Sequence, residues 1–470
     1  MNAKDTGYRG IWYYNQASGD EYVYKYSGGL ATYCAKHRPF AVYRPEVEKT
    51  FFCYGGTPLD SHLRHSQEDL LNDGKFSRQR EGFLLHTVSC FDHRTGLVPR
   101  PTILLDKMTA DAHDNPVISV DDAGHVWIFS TSHGRSSPSY VHRSTEPYSI
   151  DAFDRVDVTK LEGGTAVPMD NFSYMQAWHL PGRGFIAFVT RYKDPADRTL
   201  FFTTSDDGVA WSEWTRLAAI DKGHYQISIH SEQKCCTAFN YHPEPLGLNW
   251  RTNLYYLETV DFGRTWQNAA GESVDIPLTT PQNNALIHDY GAEDLKVYLK
   301  DIRLDENDNP VILYVVSKGY ESGPGNGPRV WTTASWTGSD WAITPVTESD
   351  SNYDTGSLYL EPGGVWRIIA PTESGPQPYN PGGEIAMWVS SDSGKSWKKQ
   401  RDLTRNSPRN HTYARSPVNA HPDFYALWAD GHAREASKSL LYFCNQSGDV
   451  YQLPEHMDAD LRQPERAHTH

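Results

Sequence analysis

Cysteine is scarce and follows no pattern. The six residues Cys34, Cys53, Cys90, Cys235, Cys236 and Cys444 form no CxxC pair, so no disulfide framework can be read from them. Adjacent Cys235 and Cys236 are poorly placed to bridge each other, and the set reads as small buried hydrophobes. Long apolar runs are missing as well. Without a stretch of about 18 apolar residues there is no helical membrane span, and the opening MNAKDTGYRG lacks the apolar core of a signal peptide. The expected compartment is the cytoplasm, or the periplasm or exterior if a signal peptide has been removed. A basic excess is the third absence: 44 basic against 59 acidic residues give a net charge of −15. That excludes the phosphate-neutralising footprint of a nucleic-acid binder. It keeps the protein soluble and still allows an acidic sugar, because one local arginine can dominate a pocket.

Extended helical periodicity is nearly absent too. Short alternating runs replace it: GFIAFVTRY (184–192), TNLYYLETV (252–260), VILYVVSKG (311–319) and GVWRIIAPT (364–372). Each is bounded by Gly, Pro, Asn or Asp, the pattern of many short strands and tight turns. Aromatic residues are abundant at 13%, with 14 Trp and 28 Tyr. They suit half-buried pleated surfaces and also stack on sugar rings.

Repeats organise these strands. TSDDGVAW (204–211), TVDFGRTW (259–266) and SSDSGKSW (390–397) share S/T-x-D-x-G-x-x-W. Asp and Gly make a tight turn between two strands while Trp plugs the layer beneath. Three such motifs in register with strand patterns resemble the Asp-box repeat of sialidase-like propellers, which implies an all-β β-propeller of four-stranded antiparallel blades, taken here as seven-bladed. Shared among seven blades, 470 residues leave about 67 each, enough for four strands and long loops; six or eight blades also fit the length. One domain is expected over 1–470, with the propeller from about 7 to 445 and a loose polar tail from about 453 to 470. The N-terminal IWYYNQASGDEYVYKY is either a stacking platform for sugars or, as the preferred reading, the segment that closes the ring. NAHPDFYALWADG (419–431), with His421 and Asp423, reads as a structural motif of a late blade.

A looser echo pairs HDNPVIS (113–119) with NDNPVIL (307–313). Read as the same blade-entry turn used twice, it makes His113 a residue the turn does not require. His113 and His133 bracket a hairpin with its turn near Asp121–Gly124, which would bring them together at its open end. Singly, each histidine is more simply a satisfied structural residue. As a pair beside the 134–138 loop they become candidates for a site. Tyr174 and Arg191 bracket a second hairpin turning at PGRG, and Tyr225 and His242 come next in loop-like segments.

His, Tyr and Arg converging without a paired-carboxylate motif suit the elimination of a 4-linked sugar from a uronic acid. Arginine neutralises the carboxylate so that the C5 proton becomes acidic. A neutral His or a tyrosinate takes that proton, and Tyr or His protonates the departing O4.

The segments 7–43, 113–133, 251–266 and 415–431 resemble BNR-repeat proteins, and within them the seven-bladed propeller polysaccharide lyases, especially ulvan lyases of polysaccharide lyase family 25. The resemblance implies a lyase that cleaves rhamnose–uronate linkages and leaves a 4,5-unsaturated uronate. It also implies His113 and His133 as the catalytic histidines, Tyr174 as the tyrosine and Arg191 as the carboxylate neutraliser. Tyr225, His242 and Arg251 would bind substrate. An exo-acting rhamnosyl-α-1,4-glucuronate lyase or hydrolase is the alternative, and a non-catalytic carbohydrate-binding propeller is one of another class. A sialidase-like hydrolase lacks its Arg-Ile-Pro start motif here. The expected partner is an acidic polysaccharide or oligosaccharide, with no nucleic acid or membrane, and the expected state is a monomer. No cofactor is needed for the chemistry. A structural zinc or calcium ion has weak candidate ligands in His230, Cys236, His242 and His288, whose spacing matches no zinc motif.

Overall fold

A computed structural model describes residues 2–59, 84–134 and 137–467. Among the described residues, sheets account for nearly all of the regular structure, six of four strands, one of five, one of three and two of two, with antiparallel pairing between all strands but one pair. The only helical pieces among the described residues are 3-10 turns of three or four residues, and no helix is long and apolar enough to cross a membrane. The chain is an all-β propeller of four-stranded antiparallel blades.

The predicted strands fall where alternation placed them, at Gly184–Arg191, Thr252–Thr259, Pro310–Ser317 and Val365–Glu373. All three Asp-boxes lie at the end of the third strand of a blade, after Thr199–Ser205, Thr252–Thr259 and Glu384–Ser390. In two of them the motif Asp accepts a backbone N–H across the turn, Asp261 from Thr265 at 2.9 Å and Asp392 from Ser396 at 3.0 Å. In the first, Asp207, one position after the motif Asp206, accepts from Val209 and Ala210 at 2.8 and 2.9 Å. Trp211 and Trp266 are buried beneath their turns.

Four expectations need correction. Seven blades were expected, whereas eight sheets carry three or more strands. The eighth is built from Thr159–Glu162, Thr165–Pro168 and Ala210–Trp211, with Thr159 and Lys160 pairing in parallel with the Trp end of the first Asp-box. Dividing chain length by blade number cannot see a small hairpin that recruits a turn in this way. The echo at 113–119 and 307–313 does not mark equivalent positions either. Pro116–Val120 is the first strand of its blade, while Pro310–Ser317 is the second of another. The tail is not loose: Leu461 and Arg462 pair with Pro99 and Val98, Glu465 and Arg466 extend the last blade, and Leu453 and Met457 are buried. Its polar residues line exposed edges of strands that the neighbouring blades hold in place.

The fourth concerns the N-terminus: ring closure was the preferred reading of 11–26, whereas that segment packs on the last blade without closing the ring. Tyr8 and Gly10 donate backbone hydrogen bonds to Pro454 and Ser439 at 2.8 and 2.9 Å. The hairpin Trp12–Ala17/Tyr24–Gly29 then presses on the last blade. A Cβ on Gly29 would lie 1.7 Å from the Asp430 carbonyl oxygen, so this contact requires glycine. The other face of the hairpin carries Tyr13 and Tyr26 towards the mouth of the channel. Closure itself runs through Ala41–Arg44, where Tyr43 N–H donates to the Val418 carbonyl at 2.9 Å and Val418 N–H, from the last blade, donates to the Ala41 carbonyl at 2.8 Å. All six cysteines are buried and free.

Candidate active site

The 113–133 hairpin forms as expected, with Pro116–Val120 paired to Val126–Ser130 and a turn closed by Asp121 N–H to the His125 carbonyl at 3.1 Å. Asp111, which sequence reasoning passed over, caps the short 3-10 turn Ala112–Asp114 and accepts the His113 N–H at 3.0 Å. The same carboxylate reaches both histidines: Oδ1 lies 2.5 Å from His113 Nδ1 and Oδ2 lies 2.7 Å from His133 Nδ1. The two rings stack with centroids 3.9 Å apart at 16°. Each imidazole thus donates from Nδ1, and its Nε2 carries the lone pair. Tyr26 and Tyr33 hydroxyls meet His113 Nε2 at 2.8 and 2.7 Å. His133 is fixed further by its backbone N–H to Asp114 Oδ1 at 2.5 Å.

These three residues are also one of two groups among the described residues that could hold a metal ion. The spacing argues otherwise. Ligands around a tetrahedral ion stand about 3.3 Å apart, whereas both contacts here have hydrogen-bond length. Neither group contains His230, Cys236, His242 or His288; those candidates do not converge. His288 is bonded to Glu293, and Cys236 is buried in the core.

Burial, reinforced by the neighbouring His133, pulls the His113 pKa down to about 4 against the pull of Asp111. Burial opposes the charge on Asp111, but the two imidazoles outweigh it and hold that carboxyl well below its usual range. His113 is thereby kept neutral beside an ionised Asp111. Burial likewise lowers His37, His86, His224, His242 and His411. A histidine with a folded pKa below its unfolded value takes up protons on unfolding. Stability is therefore fully present above pH 6.5 and is lost as the pH falls towards about 4. A fluorescence-monitored pH titration should show unfolding well before the carboxylates titrate; a native signal held down to pH 4 would contradict this.

Tyr174 joins the dyad, with ring centroids 6.0 Å from His113 and 6.3 Å from His133. It occupies a register shift between Ser173 and Gln176 and has φ of 50°. A bulge of this kind re-aims one side chain out of strict alternation. Two more first strands use the same device, with shifts at Leu299/Asp301 and Thr412/Arg415. The residues so turned, Lys300 and Tyr413, line the same cavity as Tyr174.

Arg191 does not reach that cavity. Alternation along Gly184–Arg191 points it outward, 5.3 Å from the Trp214 ring and 3.5 Å from Asp194 Oδ2. The bulge turns Tyr174 inward without altering the partner strand, so the two ends of this hairpin face different ways. Tyr192, one residue later, faces in. Arg198 takes the arginine position, 4.8 Å over Tyr192 and 5.5 Å over Tyr225. Tyr225 and Arg251 line the cavity, with Arg251 4.8 Å over Tyr225. His242 stands behind Tyr225 at 5.0 Å and does not line it. Of the 134–138 loop, Gly134 lines the cavity, while residues 135 and 136 lie outside the described residues.

The cavity measures about 430 Å3, within the range of small-ligand sites. Lys25, Lys36, Lys193, Arg198, Arg251 and Lys300 line it, together with eight tyrosines, and no Asp or Glu does so among the described residues. Burial pulls Lys25 down to about 8 and Lys36 to about 7, with Arg251 adding to both. Six basic side chains around a lining without carboxylates among the described residues, in a chain of net charge −15, suit an anionic ligand.

Residues 94–349, more than half of the chain, match the BNR repeat-containing family. The chain belongs to that family. This BNR repeat-containing protein is similar to an ulvan lyase of Nonlabens ulvanivorans, 23% identical over 359 residues that cover 69% of this chain and 72% of that one. An ulvan lyase of Alteromonas sp. (strain LOR) is 22% identical over 373 residues, covering 72% and 73%. Among solved structures, a polysaccharide lyase PL25 ulvan lyase superposes with a TM-score of 0.69 at 15% identity, over 95% of this chain and 96% of that one. A PL25 ulvan lyase bound to -[GlcA(1-4)Rha3S]- gives the same TM-score at 14% identity and the same coverage. At these identities the superpositions establish the propeller fold.

Proposed function

We propose that this protein is a polysaccharide lyase that cleaves rhamnose–uronate bonds of ulvan by β-elimination. The observation that carries the reading is the cavity itself: an Asp111-oriented histidine pair and Tyr174 face buried arginines, with no carboxylate in the lining among the described residues. A two-carboxylate glycosidase needs an acid and a base that this lining lacks. The named activity of the similar proteins agrees with it.

Arg198, with Arg251 beside it, takes the uronate carboxylate and stabilises the charge that develops when C5 loses its proton. His133 Nε2 accepts that proton, since Asp111 holds the proton on Nδ1 and leaves the Nε2 lone pair to act. Tyr174 is the acid for the departing O4: burial, reinforced by Tyr192 and Tyr225, raises its pKa and keeps it protonated. Electrons pass from the C5–H bond into a C4–C5 double bond as the C4–O4 bond breaks, and O4 leaves with the tyrosine proton. His113, held between Asp111, Tyr26 and Tyr33, positions the dyad.

We also infer a seven-bladed ring with the three-stranded sheet as an outer addition. In support, the blades of four and five strands touch one another in chain order and close through Val42 and Val418, whereas the three-stranded sheet contributes no first strand to that succession.

Incubation with ulvan tests the activity. A rise in ultraviolet absorbance marks the unsaturated uronate. New reducing ends without that rise would mark hydrolysis, and binding with neither would mark a carbohydrate-binding propeller.

A further inference from the structure

His421 and Asp423, which read in the sequence as part of a structural motif, meet His93 where the last blade closes against the first. None of the three lines the cavity described above. We propose that His93, His421 and Asp423 form a site for a divalent transition-metal ion, zinc by its chemistry, that clips the ring closed.

His93 comes directly after the strand Leu85–Asp92 of the first blade, and the other two lie between Asn410–Arg415 and Ala426–Gly431 of the last. One ligand atom from each residue lies within 4.8 Å of the others. Asp423 Oδ2 is 4.0 Å from His93 Nδ1 and 3.7 Å from His421 Nδ1. Tetrahedral zinc ligands stand about 3.3 Å apart, so a small rotation of Asp423, whose side chain is 64% exposed, completes the set.

His93 supplies the independent observation. Its side chain is only 3% exposed, and its Nδ1 is buried without a hydrogen-bond partner. Its Nε2 meets Thr50 Oγ1 at 2.8 Å. A proton on Nε2 directed at Thr50 leaves the Nδ1 lone pair aimed at the carboxylate, the outer contact a metal-binding imidazole characteristically makes. His421 Nδ1 now accepts the Asp423 N–H at 3.1 Å, a bond the ion would replace. The two imidazoles, 3.9 Å apart between centroids, are braced by the Tyr43 ring at 5.2 and 4.9 Å. A cavity of about 170 Å3 bordered by His93 and Asp423 leaves room for a water as fourth ligand. Two imidazoles and one carboxylate favour zinc over calcium, which prefers an all-oxygen shell.

Calorimetric titration of the metal-stripped full-length protein with zinc chloride is the test. Wild type should bind one equivalent more than His421→Ala, and Asp423→Asn should weaken that equivalent by about tenfold or more. Zinc at a hundredfold excess over Kd should raise the wild-type Tm by on the order of 1–3 °C, reversibly with EDTA. His421→Ala should lose that rise. Because His93 is buried, the more exposed His421 carries the deciding variant. Absence of zinc binding by wild type, or equal stoichiometry and affinity in wild type and His421→Ala, would overturn the proposal.

Discussion

Arg198→Ala is expected to lower kcat/KM on ulvan by about 10^2–10^3-fold, the usual cost of removing a preorganised group that faces developing charge. Arg191→Ala is expected to stay within about twofold, as for a substitution away from the site. The contrast arises from where each guanidinium lies. Arg198 stands over the rings of Tyr192 and Tyr225 inside the cavity, while Arg191 packs on Trp214 and faces Asp194. Burial makes Arg198 a packing residue too, so Arg198→Lys separates the roles. It keeps a cation but loses the planar fork that grips a carboxylate through two bonds, and should recover folding more fully than activity. Steady-state rates, with circular dichroism as the control for folding, provide the check. Loss of activity in Arg191→Ala with full activity in Arg198→Ala would return the carboxylate to the other arginine.

Asp111→Asn carries the second large effect, a loss in kcat on the order of 10^3–10^4-fold. The scale is that of a histidine held in the wrong tautomer in a Ser-His-Asp triad. Asp111 accepts Nδ1–H from both imidazoles, through Oδ1 at 2.5 Å and Oδ2 at 2.7 Å. An amide has one accepting oxygen and one donating nitrogen, so one ring must turn or move its proton to Nε2 and cease to be a base. The side chain is nearly isosteric, and the rings stay stacked. The loss should therefore fall on kcat with KM little changed, a split that a merely structural residue would not produce. His133→Ala should match it, because both remove the same base. An Asp111→Asn enzyme of near wild-type kcat would mean that proton transfer does not pass through the dyad.

Most of the fold is legible in the sequence because blades are made of local patterns. The Asp-boxes mark third strands wherever S/T-x-D-x-G-x-x-W occurs, and alternation places strands such as Gly184–Arg191 and Thr252–Thr259. The histidine pair is legible for the same reason: one short hairpin brings both ends together. The features that escape are those that break period two. The bulge at Tyr174 turns one side of a hairpin inward and leaves Arg191 outside. The bulges that turn Lys300 and Tyr413 into the cavity lining carry no sequence mark at all. Tyr26 and Tyr33 reach His113 across separations of 87 and 80 positions, a proximity only ring closure creates. Asp111 alone had a nearby signal, a carboxylate two positions before a histidine at a turn.

The central claim is β-elimination at this cavity, and product mass tests it most directly. Ulvan oligosaccharides of defined size, digested and weighed, should give fragment pairs whose masses sum to that of the substrate, one fragment carrying a 4,5-unsaturated uronate. Pairs heavier than the substrate by one water per cleavage would show hydrolysis and contradict the account.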